Sequence, residues 1–273
     1  MWILNYRSSL VLVIIILFLQ ACASAPVTGR KQLMIVPESE AISASKSAYQ
    51  EMLEPYKKSG KYNNDKALKK RVDRITSKLI AQAIQYRPET KDWEWSVQVL
   101  DEPDTVNAWC MAGGRMAIYS GLINKIKPSD DELAQVMGHE IAHALAKHTA
   151  EKMSVAMATN LALGIFAATQ EENSLALQGA ALAAAVAVQL PNSREAESEA
   201  DRIGIELAAK AGYDPNAAVS LWQKMGEGGN NGMDFLSTHP APGKRMDTLR
   251  ALVPRMMPYY AAKVERPSYS LNE

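Results

Sequence analysis

Apolar residues recur every three or four positions from Glu38 to Leu53 and again from Lys66 to Ile84, with charges between them. Both stretches therefore read as amphipathic helices laid on a core. The pattern then changes. "WEWSVQVLD", Trp93 to Asp101, alternates and is rich in Trp and Val, and "RMAIYSG", Arg115 to Gly121, follows the turn formers "AGG". These are two short strands of a small sheet. Helical spacing returns after "SDDE", where Ser129 is placed as an N-cap, Glu132 reaches back to it, and three acidic groups favour the positive end of the helix dipole. Two Ala-rich apolar segments, Met153 to Thr169 and Ser174 to Leu190, flank the polar "QEEN". They predict a helical hairpin packed in the core, with a lid over a site or a membrane contact as the alternatives. A last strong helix is expected from Arg194, capped by Asn192 or Ser193 and ended by Gly212. The fold class is α+β, mostly helical.

The N-terminus follows a different rule. One Arg (Arg7) precedes an apolar run from Leu10 to Leu19 that is short for a membrane span and suits a signal-peptide core. It ends in "LQAC", which resembles a bacterial lipobox and makes Cys22 the expected lipidated first residue of the mature chain. Neither Ala23 nor Ser24 is the Asp that retains many lipoproteins at the inner membrane, so the expected location is the periplasmic face of the outer membrane. The chain then divides into a signal peptide at 1–21, a tether at 22–37, one domain at 38–257 and a C-terminal tail at 258–273 that lies against the surface or frays. With 273 residues, 47% of them apolar, there is ample material for a core. The 30 basic and 30 acidic residues are interspersed, which leaves no electrostatic footprint for nucleic acid. With Cys22 lipidated, Cys110 has no partner within the chain and reads as a small buried hydrophobe.

Chemistry concentrates between Gly138 and His148, "GHEIAHALAKH", which holds three of the four histidines. On a helix His139 and His143 share one face and can reach a single zinc ion, while Glu140, about 100 degrees round, can approach a zinc-bound water as general base. His148 lies about 180 and 140 degrees from those two histidines and is assigned a structural hydrogen bond. The third ligand must come from elsewhere. In "NSREAESEADRIGIELAAKAG", Glu195 and Glu199 share a stripe with Arg202 and Glu206, which reads as a solvated face. Glu197 instead shares one with Ala200, Asp201, Gly204 and Ala208, whose small side chains let the helix press against its neighbour. A carboxylate on that inner face needs a cation, and zinc is the obvious one. Asp201, one turn on, can accept the other ring N–H of a zinc histidine.

"HEIAH" followed by "SREAESEAD" resembles metallopeptidase family forty-eight, the family of the CAAX prenyl proteases and the HtpX, OMA and BepA-like zinc peptidases. "PVTGRKQL", "VNAWCMAGGRMAIYSGLI" and "STHPAPGKR" fit the same family, so the resemblance covers most of residues 26 to 250. The several spanning helices of its membrane members are not seen, which places the likeness in the lipoprotein and OMA-like branch. The resemblance implies a gluzincin-like zinc metalloprotease domain with a small sheet beside the HExxH helix, one Zn2+ per chain, and Glu197 as third ligand. It also implies that His239 approaches the zinc, either stabilising the oxyanion or holding the enzyme latent. Asn107 and Ala108 in "NAW", with the strand "RMAIYS", are candidates for binding an extended peptide at an exposed sheet edge. The function expected is endopeptidase action on misfolded or unassembled envelope proteins, by Glu140-assisted attack of zinc-bound water. The alternative is a latent zinc protein acting mainly as a chaperone or binding module.

Overall fold

The computed structural model describes residues 22–168, 192–227, 234–239 and 245–271. The first amphipathic stretch is helix α1 (Glu38–Lys58), with Glu38 and Glu40 in its first turn and Lys57 and Lys58 in its last, signs that suit the helix dipole. It buries Ala41, Ser45, Tyr49 and Leu53, a stripe at four-residue spacing. It runs a turn past Leu53, and there Tyr56 packs against the cluster of Tyr49, Leu53 and Leu100. Helix α2 (Lys66–Tyr86) starts at Asp65, whose side chain accepts the Leu68 amide, and buries Val72, Ile75, Leu79 and Ile80.

Three strands follow: β3 (Ser96–Leu100), β4 (Ala108–Met111) and β5 (Arg115–Tyr119), in spatial order β3-β5-β4. Strand β3 runs parallel to β5 and β4 antiparallel to it. The four-residue β4 was too short to show as an alternating run, and its presence corrects one expectation. "RMAIYS" is the central strand, paired on both sides, so the open edge belongs to β4. The β4–β5 turn uses Gly113 and Gly114 at φ 84° and 79°, and a Cβ on Gly114 would strike the Trp95 ring.

After a short α3 (Ser120–Ile126) come α4 (Asp130–Leu145), α5 (His148–Ala168), α6 (Arg194–Ala211), α7 (Ala217–Glu227), α8 (Asp234–Thr238) and α9 (Arg245–Ala261). One core joins the sheet to α2, α4 and α6 through Ile75, Leu79, Met116, Ile118, Met137 and Ile203. The architecture is α+β and mostly helical, as expected. Helix α5 contains the first half of the anticipated hairpin, and the second half, Ser174 to Leu190, falls outside the described residues. No helix among the described residues is long and apolar enough to cross a membrane.

The described residues at each end of the chain are held by tertiary contacts, against the expectation of a loose tether at 22–37 and in line with a tail that lies against the surface. Residues 22–37, expected to be a tether, contain strands β1 (Cys22–Ser24) and β2 (Lys31–Leu33), paired antiparallel. Gln32 is buried and donates to the Ala146 carbonyl at 2.7 Å and to Glu151 at 2.9 Å, and the Val36 amide donates to Ser154 Oγ. At the other end the Tyr269 amide donates to the Ser77 carbonyl, and Arg266 packs over Gly212. Tertiary hydrogen bonds, invisible to local pattern, hold both segments on the surface of the domain.

Candidate metal centre and peptide cleft

Helix α4 is built to be rigid. Its capping box closes as the sequence indicated, with the Glu132 amide donating to Ser129 Oγ and the Ser129 amide to Glu132 Oε2. Glu132 also receives Ser220 Oγ at 2.7 Å and Lys224 Nζ at 2.6 Å, which pins α7 to the start of α4. At the far end Arg87 donates to the Leu145 carbonyl and Gln32 to that of Ala146, supplying donors where a helix leaves its carbonyls unpaired. Leu133, Met137 and Ile141 are fully buried, each contributing roughly 1.5–3 kcal/mol.

Helix α6 crosses α4 at two glycines. A Cβ on Gly138 would sit 2.9 Å from the Gly204 carbonyl oxygen, and one on Gly204 would sit 2.8 Å from the His139 nitrogen. This close approach brings Glu197, on the same stripe of α6 as Gly204, to the face of α4 that carries the histidines. Ser193 caps α6 by accepting the Ala196 amide, and Gly212 ends it at φ 91°.

His139, His143, Glu197 and His239 converge, all buried, with one potential ligand atom from each lying within 4.8 Å of the others. His139 Nε2 is 3.0 Å from His143 Nε2, 3.3 Å from Glu197 Oε2 and 3.2 Å from His239 Nδ1. Glu197 Oε1 is 3.3 Å from His143 Nε2 and 3.0 Å from His239 Nδ1. Ligand atoms about 2.0–2.1 Å from a tetrahedral zinc stand about 3.3 Å from one another, so the spacing and the nitrogen-rich donor set both fit that ion. Electrostatics agree. Burial disfavours a charged His139, but the Glu197 carboxylate and the hydrogen bonds to Asp201 and Glu197 outweigh it and push the ring up to about 9. Burial likewise opposes charge on Glu197, yet its histidine neighbours hold it far below the ordinary carboxylate range. The cluster therefore favours a cation beside Glu197. Burial of His143, less compensated, holds that ring well below its usual value.

Glu140 lies beside the cluster, with Oε1 at 3.5 Å from His239 Nε2. That oxygen is buried and has no hydrogen-bond partner among the described residues. Burial pushes the carboxyl up, moderated by His239 and His139. A basic carboxylate with one free oxygen can handle a proton. With His143 and His239 it lines a cleft of about 260 Å³ that Asn107, Trp109, Met52 and Met153 also line. Ala108 itself is buried, and its amide is taken by Asn107 Oδ1 at 2.9 Å. Cys110 is buried too, and burial raises its thiol, in keeping with an inert side chain.

His139, Glu197 and His143 are each braced from behind. Asp201 Oδ1 lies 3.0 Å from His139 Nδ1, where the sequence reading put it. Arg245, which that reading quoted without giving it a role, is buried and donates to Glu197 at 3.1 Å and Asp201 at 2.5 Å. Its guanidinium stacks 3.7 Å over Trp222. Two inward carboxylates on one stripe were the available signal that a buried cation had to come from elsewhere in the chain. His148 makes a structural hydrogen bond, 2.7 Å from His143 Nδ1 to its own Nδ1. The solvated face expected of Glu199 is corrected: that residue is buried, 3.1 Å from His148 Nε2 and paired with Arg30, because the N-terminal hairpin covers it.

The chain matches the description "Peptidase family M48" over residues 66–253. It is 32% identical to the mitochondrial metalloendopeptidase OMA1 of Bos taurus over 266 residues, 92% of this chain and 49% of that protein. It is 40% identical to the mitochondrial metalloendopeptidase OMA1 of Arabidopsis thaliana over 159 residues, 57% of this chain and 31% of that one. It is 30% identical to the beta-barrel assembly-enhancing protease of Yersinia pestis over 169 residues, 58% and 35% of the two chains. The chain thus spans about half or less of the length of these relatives. Since the family match runs from α2 into α9 and encloses every residue of the His/Glu cluster, the chain belongs to peptidase family M48.

Proposed function

We propose that the chain is a zinc-dependent endopeptidase that cuts misfolded or unassembled cell-envelope proteins while anchored through lipidated Cys22 to the periplasmic face of the outer membrane. The convergence of His139, His143 and Glu197, with Glu140 beside them in the lining of a cleft, carries the peptidase part. Relatives named metalloendopeptidase support it, and the one named beta-barrel assembly-enhancing protease supports an envelope setting. The "LQAC" motif supports the anchor.

Zinc, when held there, supplies Lewis-acid polarisation of the scissile carbonyl and brings the pKa of water to about 7. Glu140, made more basic by burial, takes the proton of the attacking water and passes it to the leaving amine nitrogen. An extended substrate pairs with the open edge of β4, and Asn107 at its start orients the incoming backbone. Backbone pairing selects unfolded chain over particular side chains, which suits a quality-control substrate. Cleavage of unfolded casein by the purified protein is expected to stop when a chelator strips the metal and to return with added zinc; cleavage indifferent to the chelator sinks the proposal. Cys22→Ser is expected to move the protein from the membrane to the soluble fraction, and membrane retention of that variant argues against the anchor.

One observation favours a second reading. His239 Nδ1 lies 3.2 Å from His139 Nε2 and 3.0 Å from Glu197 Oε1, and its ring stacks on Phe235 with centroids 4.4 Å apart. A histidine held so firmly can fill the open position of the metal and keep a latent protein that serves chiefly as a chaperone. His239→Ala then speeds casein cleavage; slower cleavage assigns His239 to the transition state instead.

A further inference from the structure

Thr28 and Arg30 lie in the turn between β1 and β2, far from the metal cluster in sequence, yet a continuous line of side chains joins them to it. Arg30 is held as a fork: its two terminal nitrogens donate to the two Glu151 oxygens at 2.8 and 2.5 Å, and its Nε donates to Glu199 Oε2 at 2.6 Å. The Thr28 hydroxyl donates to the other Glu199 oxygen. Glu199 Oε2 also faces His148 Nε2 at 3.1 Å, and His148 Nδ1 faces His143 Nδ1 at 2.7 Å. The Glu199 and His148 side chains are each only 3% exposed, so water does not compete for these groups.

Hydrogen-bond chemistry gives the line a direction. A carboxylate only accepts, so a neutral His148 donates from Nε2 and presents a lone pair at Nδ1. That lone pair accepts the Nδ1–H of His143, which leaves the lone pair of His143 on Nε2, the atom that faces His139 and Glu197. We propose that Arg30 is a positioning residue of the metal centre: through Glu199 and His148 it fixes the ring and tautomer of His143. The N-terminal hairpin is then the outermost part of the site. By linkage, metal binding and docking of the hairpin strengthen each other by the same factor. This rests on the assignment of His143 as a metal ligand made above.

The test uses the full chain purified in detergent, with zinc as the probe. Zinc affinity is measured by competition with a chromophoric chelator for the wild type, Arg30→Met, Arg30→Lys and Glu199→Gln, and amide hydrogen exchange of residues 25–30 is followed with and without zinc. Glu199→Gln is expected to weaken zinc roughly 10–100-fold, the range for a lost partner of a ligand histidine. Arg30→Met is expected to weaken it about 5–10-fold, with only partial recovery in Arg30→Lys, whose single ammonium cannot reproduce the fork. Zinc slows exchange in the turn of the wild type and not in that of Glu199→Gln. A hairpin that only adds stability lowers the melting temperature of Arg30→Met but leaves zinc affinity and zinc-dependent protection at wild-type values, and that result overturns the inference. If Arg30→Met does not fold, exchange in the wild type decides, and a turn unaffected by zinc overturns it. A wild type that binds no zinc removes the ligand assignment itself, and the inference with it.

Discussion

His139 and His143 sit one helical turn apart on α4 and face the same cluster, but they are braced from behind by unlike means. His139 Nδ1 meets Asp201, a single carboxylate that Arg245 neutralises at 2.5 Å. Behind His143 stands a three-residue line, His148, Glu199 and Arg30, that ends in the N-terminal hairpin. Asp201 and Glu199 both lie on α6 and both accept from a histidine, yet one is paired by the last helix and the other by the first turn of the described chain. Helix α6 is the common support of both braces. It delivers Glu197 to the His/Glu cluster and sets one carboxylate behind each histidine of α4, and distant segments supply the cations that offset this charge in a dry interior.

Three substitutions, taken from the largest expected effect to the smallest, separate the two braces. Gly204→Val acts on both histidines at once, because a Cβ there meets the backbone of His139 and pushes α6 away from α4. It is expected to abolish measurable zinc binding and to cost on the order of 1–3 kcal/mol of stability, read by chelator competition and thermal denaturation. Wild-type zinc affinity in that variant means that the glycine crossing does not position Glu197. Arg245→Met acts on the brace behind His139 and on Glu197, and leaves Glu197 and Asp201 as buried carboxylates short of a cation. A destabilisation of about 3–5 kcal/mol is expected for the metal-free protein, with much of it recovered when zinc is added to satisfy Glu197. Equal losses with and without zinc show that Arg245 serves packing rather than the charge of the site. The mildest step is Arg30→Met, which loosens only His143 and does so through two intermediates.

Local chemistry made much of this site legible in the sequence. The capping box at Ser129, the i and i+4 spacing of His139 and His143, and the small-residue stripe that turns Glu197 inward each depend on one helix and its immediate neighbour. The mostly helical α+β class followed from the same periodicities. What stayed hidden came from segments far apart in the chain. Glu199 shares a stripe with Arg202 and Glu206 and looked solvated, and only the docking of residues 22–33 covers it. Strand β4 has four residues, too few to alternate visibly, so the central and edge strands of the sheet were exchanged. Arg245 carried no local pattern at all, since its role is set by two carboxylates more than forty residues upstream.

The central claim is that Glu140 handles the proton in a zinc site held by other residues. Glu140→Gln keeps the size of the side chain and removes its basicity, so measuring bound zinc and casein cleavage on the same preparation separates the two roles. One equivalent of zinc is expected, as in the wild type, with cleavage reduced about 10²–10⁴-fold. Undiminished cleavage in that variant, or loss of zinc along with the activity, would contradict it.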